Sequence, residues 1–277
     1  MGARIITARH PIAAFVVLCL AINWAMILPP LRTAMDVLPL GPQGSESVGT
    51  LLGVTGAAFL VTAAADGRDG VRDLAARSLR WRVGIKWYLL ALFTMPLALL
   101  TAATAMYGWA PARAIADGGP VLLTRALPLL VTLVVLFNLP EEIGFTGFLQ
   151  ARLQDVQGPL RASALTALPF ALFHMPVNLV DGGWAFAVVF LPIQTVLFVF
   201  VRALIIWFYN ASGNSVLIAG LFHASFNTTV NTLNDFLPAA AGTAVLIGTG
   251  VAVLAATMLA VLTRARLEYH PTPTPFP

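Results

Sequence analysis

Long apolar runs separated by short polar connections dominate the chain. Because a helix that crosses a membrane needs roughly 20 predominantly apolar residues, the pattern predicts about eight spans. The predicted spans cover 11–29, 48–65, 87–109, 122–150, 161–177, 184–207, 214–231 and 239–263. No internal repeat is visible in the pattern. The sequence therefore predicts an all-α polytopic membrane protein.

The composition further restricts the class of protein to which the chain can belong. The chain is 58% hydrophobic and only 10% charged, with a mean hydropathy of +0.85, which does not give a soluble surface. Its single cysteine, Cys19, excludes an internal disulfide and a cysteine-rich metal site. The basic pI of about 9.8 could suggest nucleic-acid binding. However, the basic residues are spread between the apolar runs, so we interpret them as topology determinants and expect no nucleic-acid partner.

Basic residues are concentrated in alternate connections between the predicted spans. The connections after spans two and four and the segment after span eight contain Arg68, Arg72, Arg77, Arg80, Arg82, Lys86, Arg152, Arg161, Arg264 and Arg266. The intervening connections contain few, such as Arg32 and Arg113. Since cytoplasmic loops carry an excess of lysine and arginine, the pattern predicts that both termini are cytoplasmic.

The predicted spans form one membrane-embedded domain over residues 1–263, followed by a short Pro/Thr-rich cytoplasmic tail at 264–277. The end of this tail, Pro271–Pro277, alternates proline and threonine and is predicted to be extended and disordered. The polar segment Asp66–Lys86 has apolar residues among its arginines. It is either a helix lying on the cytoplasmic surface or a solvated basic loop that only sets topology.

Five polar side chains lie within the predicted spans: Glu141, Glu142, His174, His223 and Asn227. Counted from the predicted cytoplasmic helix ends, Glu141 lies about 16 Å deep, His174 about 20 Å and His223 about 15 Å. His223 and Asn227 are four residues apart and share one helix face. Because unpaired polar groups are costly in hydrocarbon, we expect all five to converge on one polar pocket.

These residue types suit hydrolysis of a carbonyl substrate without a covalent intermediate. Two adjacent carboxylates in a low-dielectric pocket do not both ionise easily, so the pair supplies a base and an acid. A histidine can hold the attacking water or protonate a leaving amine. An asparagine amide and a second histidine can stabilise a developing oxyanion. The chain lacks a Gly-x-Ser-x-Gly elbow, which argues against a serine nucleophile.

The same residues could instead bind a metal ion, because histidine and glutamate are zinc ligands. In that case the predicted ligands are Glu141, His174 and His223. The chain contains no His-Glu-x-x-His motif, which weakens this alternative without removing it.

Three ordered motifs resemble those of the CPBP family of intramembrane proteases. The motifs are Glu141-Glu142 followed by Gly144 and Gly147, then Phe170-x-x-x-His174, then His223-x-x-x-Asn227. This family includes the Ras-converting CAAX prenyl endopeptidases and bacterial Abi/CAAX proteins. The resemblance covers roughly residues 129–229. It implies an eight-helix membrane core, often with its site open to the cytoplasm, and glutamate-dependent peptide hydrolysis.

The resemblance also implies a role for each polar residue. Glu141 would activate the water together with His174, and Glu142 would support Glu141. His223 and Asn227 would form the oxyanion hole. No cofactor is then expected, although members have also been described as metalloproteases, so zinc stays possible. The implied substrate is a hydrophobic or lipidated peptide, and the implied location is a bacterial cytoplasmic membrane.

The chain departs from the family at one position. The first motif is commonly Glu-Glu-x-x-x-Arg, and this chain has Thr146 where the arginine belongs. Arg152 lies roughly 9 Å further along the helix axis, which is too far to replace it. Arg202 is a candidate only if the sixth predicted span packs close to Glu142.

Two other functions stay open at this stage. The missing arginine is compatible with a catalytically weak binding or immunity protein that retains the pocket. Polar groups at mid-membrane depth would also serve a small-solute transporter as a proton relay. Transporters are often built from internal repeats, which this chain lacks.

Overall fold

The computed structural model describes residues 9–28, 44–233 and 243–270, which are helical and contain no strand. The all-α prediction is thereby confirmed. The helices are α1 (Pro11–Ile27), α2 (Gly44–Ala65), α3 (Gly67–Ser78), α4 (Ile85–Tyr107), α5 (Ala110–Asp117), α6 (Leu123–Gln157), α7 (Pro159–Ala211), α8 (Val216–Leu233) and α9 (Thr243–Leu262). The end of the predicted tail, residues 271–277, and the connection that holds Arg32 lie outside the described residues.

Helices α2, α4, α6 and α7 are long and apolar enough to cross a membrane, while α1 and Leu246–Leu262 of α9 are shorter apolar helices. These helices support an integral membrane protein but do not confirm the predicted count of about eight spans. Helix α7 has 53 residues. A straight helix of that length would measure about 80 Å, against a hydrocarbon core of about 30 Å. Gly183, with a φ of 76°, interrupts it.

Small residues bring α6 close to its neighbours. A Cβ on Gly144 would lie 2.4 Å from Val54 Cγ1 of α2, so only glycine allows this approach. A Cβ on Gly220 of α8 would lie 2.9 Å from the Cα of Leu139. Glycines at helix contacts permit the close backbone packing that stabilises membrane helices. The two contacts hold α2 and α8 against the segment that contains the glutamate pair.

Replacing Gly220 with alanine is expected to destabilise the protein by about 1–3 kcal/mol, because the added methyl group would meet the α6 backbone. Thermal unfolding in detergent would measure the loss. Gly250→Ala in α9 is the matched control, because its added Cβ meets no atom within 4 Å. Equal stability of the two variants would contradict the close approach of α8 to α6.

Aromatic side chains from three helices pack beside the glutamate segment. The Phe15 and Phe148 ring centroids are 4.8 Å apart, joining α1 to α6. The Phe145 and Phe170 centroids are 4.9 Å apart, joining α6 to α7. All four rings are at most 1% exposed. This cluster aligns α1, α6 and the first half of α7 around one region of the interior.

Helix α3 is the observed structure of the polar segment, so the surface-helix alternative agrees with the fold. Leu74 of α3 is 1% exposed, and its side chain lies against Gly147 of α6. Arg77 donates from Nη1 to the Gly147 carbonyl at 2.9 Å and to the Tyr209 hydroxyl at 2.7 Å. Helix α3 is thus anchored to the end of the bundle where α6 finishes.

We call this end of the bundle the basic end. Here α3 and the turn that follows it meet the end of α6, the start of α7, the turn before α8 and residues 264–270. Arg152 pairs with Asp66, and Arg80 donates to the carbonyl of Gly213.

The first part of the predicted tail packs onto the basic end. Leu267 is fully buried, and its carbonyl accepts from Asn210 Nδ2 at 3.1 Å. The Tyr269 hydroxyl donates to Asp155 Oδ1 at 2.7 Å. Burial and this contact with the carboxylate raise the pKa of Tyr269 to about 12. Residues 264–270 are therefore part of the folded structure.

Candidate active site

The glutamate pair lies in a short α-helical segment between two π-helical stretches of α6. Residues Leu139–Glu142 are α-helical, whereas Leu133–Asn138 and Ile143–Gln150 are π-helical. Pro140 has no backbone N–H to give to the helix, so the regular pattern of helix hydrogen bonds is interrupted there. Thr55 of α2 donates to the Pro140 carbonyl at 2.9 Å. Such i→i+5 turns occur frequently at functional sites.

Glu142 is fully buried and surrounded by donors. Arg202 Nη1 donates to both of its carboxylate oxygens, at 2.9 and 2.8 Å. His223 Nδ1 lies 2.8 Å from Oε1, and the Thr146 hydroxyl donates to Oε2. These contacts neutralise the charge of Glu142 and occupy both of its oxygens. Glu142 is therefore a fixed structural carboxylate.

Arg202 forms hydrogen bonds in the interior through all three of its guanidinium nitrogens. Besides the two contacts with Glu142, Nη2 donates to Thr146 Oγ1 at 2.5 Å and to Gln150 Oε1 at 2.7 Å. Nε also donates to Gln150 Oε1, at 3.0 Å. The guanidinium carbon lies 5.3 Å from the centroid of the Phe170 ring. An arginine offers its N–H donors in a fixed fork, and here each of the three nitrogens has an acceptor.

The arginine that the first motif lacks thus has a counterpart in α7. Packing brings the predicted sixth span close to Glu142, which was the condition set for Arg202. Arg152 instead pairs with Asp66 and stacks on Phe148 at 3.9 Å. The sequence analysis did not single out Gln150. A polar side chain two helical turns beyond Glu142, in an otherwise apolar run, was the signal available for it.

Glu141 differs from its neighbour in having few partners. Its Oε2 accepts one long hydrogen bond, from Asn138 Nδ2 at 3.4 Å, and lies 3.7 Å from His223 Nδ1. Asn138 Oδ1 in turn accepts from Asn227 Nδ2 at 3.4 Å. Glu141 is 5% exposed. Its carboxylate therefore retains lone pairs for a further hydrogen bond.

The hydrogen bonds of the two histidines determine which ring nitrogen carries the proton. His174 Nδ1 lies 2.8 Å from the Phe170 carbonyl, which only accepts, so Nδ1 is the donor. His223 Nδ1 likewise donates to the carboxylate of Glu142. In the neutral rings, Nε2 is then the acceptor on both residues. Phe170 contacts both rings, with centroid distances of 4.6 Å to His174 and 5.9 Å to His223.

Glu141, His174 and Asn227 border one cavity of about 200 Å³. Asn138 also lines it. His223 adjoins this lining, with Nδ1 3.7 Å from Glu141 Oε2, and is bonded to Glu142. The structure therefore brings the five predicted site residues together from α6, α7 and α8. Their catalytic roles stay a prediction.

Asn23 of α1 is a further polar residue at the cavity, and the sequence analysis missed it. Its Nδ2 donates to the Phe173 carbonyl at 2.9 Å. Its buried Oδ1 has no hydrogen-bond partner among the described residues. A lone asparagine in the first apolar run was the only signal for it. This oxygen is fully buried and lies beside Gly49 of α2, where a Cβ would be only 2.8 Å from it.

Glu141, Glu142 and His223 each offer one ligand atom within 4.8 Å of the others, so this group could hold a metal ion. It contains Glu142 in place of the predicted ligand His174. However, both Glu142 oxygens already accept from Arg202, and zinc would lie beside a guanidinium charge. A structural or catalytic zinc usually has three or four protein ligands free to coordinate it. The bonded network therefore fits a zinc ion poorly.

A match to a known protein family covers the part of the chain that contains the candidate site. Residues 123–229 match the protein-family model described as type II CAAX prenyl endopeptidase Rce1-like. No curated protein matches the chain. The matched range includes the glutamate pair, both histidines and Asn227. The resemblance inferred from the three motifs is thereby confirmed: over residues 123–229, this chain is similar to the Rce1-like CAAX prenyl endopeptidases.

Proposed function

We propose that the protein is an intramembrane endopeptidase in which Glu141 activates the water that hydrolyses a peptide bond. The observation that carries this proposal is the unequal environment of the two glutamates. Glu142 is held by Arg202 and His223, whereas Glu141 borders the cavity with one long hydrogen bond. A general base needs a free lone pair within reach of its water. The family match supports the reaction class.

The proposed reaction begins with a water molecule in the cavity between Glu141 and His174. The water donates one hydrogen bond to His174 Nε2 and gives its other proton to Glu141 as its oxygen attacks the peptide carbonyl carbon. Glu141 then passes that proton to the leaving amine while the C–N bond breaks. The products are a carboxyl group and an amine. This sequence needs no covalent intermediate and suits the paired carboxylate and histidine.

The proposed oxyanion hole uses Asn227 and His223. Asn227 borders the cavity with its side-chain amide. His223 is oriented by its Nδ1–H bond to Glu142. A second proton, on Nε2, would let this ring donate to the developing oxyanion. Such donors are most effective when they are fixed before the reaction.

Arg202 is proposed to be the positioning residue for Glu142. It supplies, from α7, the positive charge that the family motif carries at the position of Thr146. Thr146 is part of this arrangement, because its small side chain leaves space for the guanidinium and its hydroxyl accepts from Nη2.

Peptide cleavage by the purified protein tests the proposed function. A panel of hydrophobic and prenylated peptides would be incubated with the wild type and with Glu141→Ala, and the products identified by mass spectrometry. We expect cleavage by the wild type alone. Equal turnover by the two proteins, or no cleavage of any peptide, would contradict the proposal.

The alternative of a catalytically weak binding or immunity protein rested on Thr146. Because Arg202 contacts both oxygens of Glu142, the site does not lack the positive charge whose absence motivated that alternative. No observation in the described residues favours a transporter over a peptidase.

Removal of metal ions is expected to leave peptide cleavage unchanged. The physical reason is that Arg202 and His223 already occupy the Glu142 carboxylate. Cleavage rates would be compared before and after dialysis against a chelator, with metal content measured in both samples. Loss of activity on chelation, with recovery on adding zinc, would contradict this expectation.

A further inference from the structure

The cavity at Glu141 extends toward one end of the bundle only. Its lining includes Ile27, at the last turn of α1, and Thr50, in the first turns of α2. In α6 it includes Phe137, which precedes Glu141, and in α7 it includes Val177, which follows His174. In each helix, these positions lie between the level of Glu141 and the end remote from the basic end. The cavity therefore leads away from α3.

The interior between Glu142 and the basic end is filled. Thr146, Phe148, Gln150 and Arg202 are fully buried, and the polar groups among them bond to one another. Beyond them, α3 covers the end of the bundle through its contacts with Gly147. These fully buried residues therefore lie between the glutamate pair and the basic end.

Charge distinguishes the two ends of the bundle. The basic end and its connections contain Arg68, Arg72, Arg77, Arg80, Arg82, Lys86, Arg152, Arg161, Arg264 and Arg266. At the opposite end, the described residues contribute Arg113 and Arg125. Because lysine and arginine in short loops are retained on the cytoplasmic side, the basic end is the cytoplasmic one. The cavity then leads toward the other side of the membrane.

We infer that the cavity is entered from the extracytoplasmic side, so that the substrate, if the proposed function holds, is a hydrophobic peptide segment in the extracytoplasmic leaflet. This differs from the cytoplasmic opening that the family resemblance implies. Ile27, Leu133, Phe137 and Val177 give the cavity apolar walls that suit such a segment.

Cysteine accessibility tests this inference without any need for activity. The single native cysteine, Cys19, is 1% exposed and would be replaced by serine. Single cysteines would then be introduced as Val177→Cys in the cavity, Asp69→Cys on α3 and Arg113→Cys at the opposite end. A small, membrane-impermeant thiosulfonate reagent would be applied to intact cells and to inverted membrane vesicles.

We expect Val177→Cys and Arg113→Cys to react in intact cells, and Asp69→Cys to react only in inverted vesicles. Reaction of Val177→Cys only in inverted vesicles, or from neither side, would overturn the inference. So would reaction of Asp69→Cys in intact cells. Because the readout is labelling, a protein that fails to cleave peptides can still pass this test, and an active peptidase can fail it.

Discussion

The Glu141→Gln variant is expected to cleave peptides about 10²–10⁴-fold more slowly than the wild type, the usual loss when a general base is removed. Glutamine has nearly the same shape, and Glu141 makes only one long hydrogen bond to a side chain, from Asn138. The variant should therefore fold normally and bind substrate. Steady-state kinetics on a cleaved peptide would show a lower kcat with little change in KM.

Two further variants show whether the loss of activity is specific to Glu141. Asp117→Asn removes an exposed carboxylate of α5 and should retain the wild-type rate. Glu142→Gln should lose both activity and stability, because it leaves the buried Arg202 charge without its partner. Breaking such a buried pair costs about 3–5 kcal/mol. A Glu141→Gln variant that retained the wild-type kcat would exclude Glu141 as the base.

The second large effect is expected at Arg202. Arg202→Gln removes the charge that holds Glu142 and leaves that carboxylate buried and unpaired. Peptide cleavage should fall at least about 100-fold, since misplacement of a catalytic constellation has costs of this order. The unfolding midpoint in detergent should also fall, because the buried pair is broken.

Moving the positive charge from residue 202 to residue 146 tests whether Arg202 positions Glu142 or only stabilises the fold. In the double variant Thr146→Arg with Arg202→Gln, the new guanidinium lies one helical turn from Glu142, within reach of its carboxylate. We expect this variant to recover kcat relative to Arg202→Gln. Thr146→Arg alone should be less stable than the wild type, because it places a second buried cation beside Arg202. A double variant as stable as the wild type but still inactive would contradict the positioning role.

Arg202→Lys provides a control for the geometry of the charge. Lysine retains the positive charge but lacks the planar fork that reaches Glu142, Thr146 and Gln150 together. We expect an intermediate kcat, below the wild type and above Arg202→Gln. A Lys variant with wild-type kinetics would mean that charge alone is sufficient at this position.

Much of the fold class was predictable because a bilayer imposes a length on each apolar segment. The run of α7 was predicted as two segments, and Gly183 interrupts the helix between them. The number of spans was less predictable. Helix ends depend on packing and on lipid, so an apolar run specifies only that a segment is long enough to cross.

The candidate site was predictable to the extent that buried polar groups need partners. Glu141, His174 and Asn227 were expected in one pocket, since leaving each of them alone in hydrocarbon would be costly. They border one cavity in the structure. The residues missed, Gln150 and Asn23, are uncharged amides that a helix interior tolerates singly. Each was only a single polar position in an apolar run, which is a weak signal.

The sequence by itself determined that this is a helical membrane protein with a glutamate pair, two histidines and an asparagine in its interior. Only the tertiary structure decided which glutamate is held and which borders the cavity, and which arginine replaces the missing one. The physical reason is that Arg202 lies 60 residues from Glu142 along the chain. Helix periodicity relates neighbours within a few turns, whereas a contact between two helices depends on how both pack.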